Sequence, residues 1–173
     1  YQRLGDLDKA IAAYKSAIDI KPNYLDAWVN CGAALQSQGK LDEALAAFNQ
    51  AVEIQPENVE VLNNIGLTLQ EQGKFDDAVG LYRKALLVKP NYAKALYNMG
   101  IALKEQGKLS QAIKAFSKAL SIKPDFVEPA ESLSNLEIQL ATTILNKEIN
   151  YGEMLRPKSD FKNCPSFQVY NAI

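Results

Sequence analysis

Apolar positions along this chain recur with helical spacing, broken at regular intervals by glycine and proline. Leu25, Trp28, Cys31 and Leu35 lie three or four residues apart, which predicts a helix from Leu25 to about Gln38. Gly39 follows, the residue type best suited to the left-handed position that ends a helix. Ala44, Leu45, Phe48, Ala51 and Val52 then predict a second helix from about Asp42 to Gln55. Asp42 and Glu43 in its first turn suit the positive helix end and read as capping groups, and Pro56 closes it.

The same sentence is written four times. "GDLDKAIAAYKSAIDIKP" from residue 5 returns as "GKLDEALAAFNQAVEIQP" from 39, "GKFDDAVGLYRKALLVKP" from 73 and "GKLSQAIKAFSKALSIKP" from 107, a 34-residue period. Small residues recur where helices must approach closely: Gly32, Gly66 and Gly100 on first helices, and Ala10, Ala44, Ala78 and Ala112 on second helices. Tyr14, Phe48, Tyr82 and Phe116 supply the bulk beside them. A lone helix pair cannot bury its apolar face, so the units must stack, and the expected class is an all-α solenoid of helix-turn-helix repeats.

The period, the small-then-aromatic pattern of the second helix, Trp28, Gly32 and the closing Pro56 resemble the tetratricopeptide repeat over residues 1 to about 128. The resemblance implies a right-handed superhelix of antiparallel helix pairs whose first helices line a concave groove. On this register residues 1–24 form the second half of a truncated repeat, and 25–58, 59–92 and 93–127 are full repeats. Leu133, Leu136, Leu140, Ile144 and Leu145 continue helically beyond the usual turn, so 128–152 reads as one long capping helix. Pro129 falls in its first turn, where proline is tolerated.

Both ends depart from the repeat. The helix carrying Leu7, Ala10, Ile11, Tyr14 and Ile18 is expected to leave an apolar face uncovered, and hence to fray or self-associate. Residues 153–173 match no repeat and hold Phe161, Phe167, Val169 and Tyr170, with a helix expected near Ser166; they read as a tail or the start of a further domain.

Within each first helix, positions 4, 7 and 11 form the packing stripe, and positions 2, 6, 9 and 13 lie opposite. The groove-lining candidates are Asp26, Asn30, Ala33 and Ser37 in one unit, Glu60, Asn64, Leu67 and Glu71 in the next, and Lys94, Asn98, Ile101 and Glu105 in the third. Position 5, with Val29, Asn63 and Tyr97, borders them. The asparagines at position 6 form a ladder whose amides offer both donor and acceptor, matching an extended peptide backbone, with Leu67, Ile101 and Tyr97 available for apolar anchors. An equally weighted reading gives those amides to neighbouring repeats and the pitch of the stack.

The ladder partly resembles the repeat arm of O-linked N-acetylglucosamine transferases, which implies a second possibility: an arm that recruits substrate for a catalytic domain elsewhere. Chaperone-binding members of the repeat family hold a peptide carboxylate with Lys and Asn, then Asn, then Lys and Arg. Here Val29 and Ala33 replace the first pair and Asn98 the arginine, while Asn64 and Lys94 match, so bidentate capture is lost and chaperone-tail binding is not expected.

Composition removes most other chemistry. The 173 residues contain no histidine and two distant cysteines, Cys31 and Cys164, which argues against His-based catalysis, most zinc sites and a disulfide framework; no catalytic residue, metal or cofactor is expected. The net charge of −1 gives no basic field, and Asp26, Glu60, Glu71 and Glu105 would repel nucleic acid from the groove. No apolar run approaches a membrane span, and a cytoplasmic protein is expected. Charge is uneven along the array: residues 39–72 set one lysine against six acids, a net −5, and 73–106 set six basic residues against three acids, a net +3. The reading is a protein-interaction scaffold that takes a peptide or helix of a partner.

Overall fold

A computed structural model describes residues 2–154. Among them it holds eight helices and no strand: α1 (Gln2–Ile20), α2 (Leu25–Ser37), α3 (Leu41–Ile54), α4 (Val59–Glu71), α5 (Phe75–Val88), α6 (Ala93–Glu105), α7 (Leu109–Ile122) and α8 (Val127–Met154). The contacts divide the chain into one unit of Tyr1–Leu133 and another of Ser134–Ile173. The expected tail at 153–173, with Cys164 and the helix near Ser166, lies outside the described residues after Met154.

Two turns alternate in the first unit, and each follows from its residues. After α2, α4 and α6, the glycines Gly39, Gly73 and Gly107 take φ of 75°, 75° and 72°, a region open to glycine at little cost. The turn closes on itself: Lys40 N–H donates to the Leu35 carbonyl at 3.0 Å and Gly39 N–H to that of Gln36 at 2.8 Å, satisfying carbonyls the helix end leaves free. After the second helices the chain turns at proline. Tyr24, Asn58, Tyr92 and Phe126 N–H groups donate back to the carbonyls of Lys21, Gln55, Lys89 and Lys123, with proline at the second turn position. Asn58 adds a side-chain cap, its Oδ1 accepting from the N–H groups of Glu60 and Val61, both at 3.1 Å.

Each helix packs on its sequence neighbour from α1 through α7, and first helices also meet across repeats, α2 with α4 and α4 with α6. That second set of contacts makes the first-helix side the inner face of the stack. The pairs interdigitate through the expected small and large positions. Phe48, Tyr82 and Phe116 are fully buried, and a Cβ placed on Gly32, Gly66 or Gly100 would fall 2.5–2.6 Å from their ring carbons. Only glycine lets helices approach this closely without moving the ring.

Helix α1 runs unbroken from Gln2 through Gly5 to Ile20; glycine permits a turn without compelling one. Its apolar face is less open than expected. Ile11 and Ile18 are buried and Leu7, Tyr14 and Ala17 pack against the same cluster, because α2 covers one side of the helix. Tyr14 remains half-buried, unlike its three fully buried counterparts. Helix α8 is a single helix of 28 residues with Pro129 at its third position, where its missing N–H breaks no intrahelical bond.

Candidate functional site

The sequence-selected residues fall into three classes of exposure. Asp26, Asn30, Ser37, Glu60, Glu71, Lys94 and Glu105 are exposed on α2, α4 and α6, and Val29, Ala33, Asn64, Leu67, Tyr97 and Ile101 are half-buried. Asn63 and Asn98 are buried, 2% and 7% exposed. The three position-6 asparagines thus run from open to closed along the stack.

The closed end has a specific cause. Asn98 Nδ2 donates to Asn63 Oδ1 at 3.0 Å, a buried bond between α6 and α4. Buried amides demand partners, so this bond joins two repeats where an apolar pair would leave them free to slide. Asn30 and Asn64, by contrast, make no side-chain hydrogen bond among the described residues. Tyr97 is also partly spent within the fold, with its ring 5.9 Å from that of Phe116 and 5.4 Å from that of Phe126.

Other polar groups of the inner face are also engaged. Gln36 Nε2 donates across the repeat boundary to Glu71 Oε1 at 2.9 Å, while Lys104 pairs with its neighbour Glu105 at 3.4 Å and Ser37 Oγ donates to the Ala33 carbonyl at 2.9 Å, both within one helix. Lys94, Asp26 and Glu60 have no ion pair within the described residues, so their charge faces solvent. Among those residues no cluster of His, Cys, Asp or Glu is arranged to hold a metal, and no helix is long and apolar enough to cross a membrane.

One recurring contact escaped the sequence reading. Gln38, Gln72 and Gln106 donate through Nε2 to Asp8, Asp42 and Asp76 at 2.8, 2.8 and 3.0 Å, each reaching 30 residues back to the previous unit. Asp42, read as a capping group, is therefore also a repeat-to-repeat bracket, as is its counterpart Asp76; the signal was present as Gln at 38, 72 and 106 and Asp at 8, 42 and 76, each spaced by 34 residues. Tyr82 adds a polar tie that its phenylalanine counterparts lack, its hydroxyl 3.2 Å from Gln70 Oε1. Burial, and secondarily the charge of Glu71, pushes the Tyr82 hydroxyl pKa far up, so it stays protonated and donates.

Comparison with known proteins agrees with this architecture. Two family profiles match: "TPR repeat" over residues 1–39 and 34–73, and "Tetratricopeptide repeat" over 57–125. No curated protein sequence matches the chain. Among solved structures, a crystal structure of MamA superposes with a TM-score of 0.68 at 23% identity, covering 86% of this chain and 92% of that one. The first TPR of Spaghetti (RPAP3), bound to the HSP90 peptide SRMEEVD, superposes with a TM-score of 0.65 at 25% identity, covering 68% of this chain and 93% of that one. With profiles spanning residues 1 to 125 and every full unit built on the same glycine turn, proline turn and glycine–aromatic contact, the chain belongs to the tetratricopeptide repeat family.

Proposed function

We propose that the inner face of α2, α4 and α6 binds an extended peptide of a partner protein, and that the chain acts as an interaction scaffold. One observation carries this reading: Asn30 and Asn64 hold unbonded amides on that face, beside the half-buried apolar side chains of Leu67 and Ile101. Amides that can donate and accept suit a peptide backbone, and shallow apolar side chains suit the residues it presents between backbone contacts. Peptide binding by the related RPAP3 repeat supports the class of ligand. The acidic peptide of that complex is not the ligand proposed here, because Val29, Ala33 and Asn98 stand where a carboxylate clamp needs cationic and amide groups.

Charge gives the peptide a direction. Asp26, Glu60 and Glu71 precede Lys94 along the stack, so a peptide with its basic end on α2 and α4 and its acidic end on α6 is favoured. The test is selection of displayed octapeptides on the immobilised full chain, followed by titration against Asn64→Ala/Leu67→Asp. Losing one hydrogen bond and one apolar contact is expected to weaken binding by a factor of about ten or more with helicity unchanged. Undiminished affinity would place the site on another face.

A further inference from the structure

A cleft opens on the opposite side of the first full repeat, between the second helices α1 and α3. Its main cavity, of about 500 Å³, has an apolar lining from Ile18 of α1, Cys31 and Leu35 of α2, and Ala47 of α3. An adjoining cavity of about 490 Å³ is bounded by Pro22, Glu53 and Ile54, and the two share Trp28 and Gln50.

Side-chain size contributes to the space. Moving 34 residues along the repeat, Cys31 becomes Ile65, which is buried in the core, and Ala47 becomes Leu81, which packs partly buried against it. Relative to the next repeat, the first full repeat therefore carries less bulk at these two lining positions, while Trp28 stands where that repeat has Leu62. Cys31 is 2% exposed, and its thiol has no hydrogen-bond partner among the described residues although it lines the cavity. Trp28 is held as a fixed wall, its Nε1 donating to the Pro22 carbonyl at 2.8 Å.

The charges around this wall have one sign in excess. Asp19 and Glu43 line the main cavity and Glu53 the adjoining one, against Lys15 alone. Elsewhere the chain places its own cations over aromatic rings: Lys21 over Tyr24, Lys89 over Tyr92 and Lys123 over Phe126, at 5.2, 5.6 and 5.4 Å. Among the described residues none lies over Trp28, the ring type that attracts a cation best.

We propose that this cleft receives an arginine side chain from a partner polypeptide, its methylene stem on the floor of Ile18, Cys31 and Ala47 and its guanidinium against Trp28 in the field of Asp19 and Glu53. Arginine is favoured over lysine because its planar, weakly hydrated group stacks on an aromatic face and bonds carboxylates in pairs. The site is independent of the inner groove.

Trp28 is the only tryptophan of the chain, so its fluorescence reports on the cleft directly. The full chain is titrated with N-acetyl-Ala-Leu-Arg-Leu-Ala amide and with the same peptide carrying citrulline, the neutral isostere, or lysine. The arginine peptide is expected to give a saturable change, about fivefold tighter than citrulline and tighter than lysine. The change should vanish in Cys31→Ile/Ala47→Leu, which installs the residues of the next repeat, and weaken at least threefold in Asp19→Asn/Glu53→Gln, which keeps the volume. It should persist in Asn64→Ala/Leu67→Asp. No saturable change, equal binding of arginine and citrulline peptides, tighter binding of lysine, or full binding by either cleft variant overturns the proposal.

Discussion

Replacing Gly66 and Gly80 by alanine should move stability in opposite directions. Both sit inside helices, where alanine is intrinsically better than glycine by about 1 kcal/mol. At Gly80 a new Cβ meets nothing within 4 Å, so that gain is expected in full, a stabilisation of about 0.5–1 kcal/mol. At Gly66 the Cβ would fall 2.6 Å from Tyr82 Cε1 and 3.0 Å from Cδ1 and Cζ. The ring has nowhere to go: Tyr82 is fully buried and its hydroxyl is tied to Gln70. Overpacking a core of this kind costs about 1–3 kcal/mol, and losing the hydroxyl bond adds about 0.5–1.5 kcal/mol. Set against the helix-propensity gain, Gly66→Ala is expected to be destabilised by about 1–3 kcal/mol. Urea unfolding followed by circular dichroism at 222 nm measures both variants, and the Gly66→Ala/Tyr82→Leu double mutant should recover part of the loss through a favourable coupling. A Gly66→Ala variant as stable as the parent, or a destabilised Gly80→Ala, would refute the close-packing argument.

Further tests address the remaining contacts. Asn98→Ala should cost about 1–3 kcal/mol by leaving the Asn63 amide buried without its partner, whereas exposed Asn30→Ala should stay within about 0.5 kcal/mol; urea midpoints separate the two. Gly73→Ala should lose about 1 kcal/mol through its positive φ alone, since no atom crowds the site, and Gly73→Asn should lose less; thermal unfolding is the readout. Tyr82 has its pKa raised in the fold by burial and then by Glu71, so above the ordinary value of 10.0 the unfolded chain releases the proton first. Its contribution to stability is therefore complete below that pH and declines as pH rises beyond it, and Tyr82→Phe should show a smaller decline between pH 9 and 11 than the parent in urea titrations.

Different parts of this architecture were legible to different depths. Gly39, Gly73 and Gly107 mark their turns in the sequence because the backbone there demands a residue without a Cβ. Gly32, Gly66 and Gly100 likewise announce the aromatic rings that leave them no room. The groove residues were harder. A helical period gives the direction of a side chain around its own helix but not how the next helix covers it. Asn30, Asn64 and Asn98 share that direction, yet Asn98 is buried because α4 offers it Asn63 at the border position, where α2 has Val29. The Gln–Asp brackets were hidden for a related reason: an acidic residue in a first helical turn already has an accepted role, which masked its contact with a residue 30 positions later.

Those brackets bear on how such a chain can change its length. Each long tie described here joins a repeat to its immediate neighbour at a separation of 30 or 35 residues. Duplicating a segment of 34 residues would reproduce both halves of the bracket together, so a new copy arrives with its own junction already written. Genetic expansion or deletion of whole units therefore requires no compensating mutation elsewhere, and array length becomes a quantity that selection can adjust separately from the surface each unit displays.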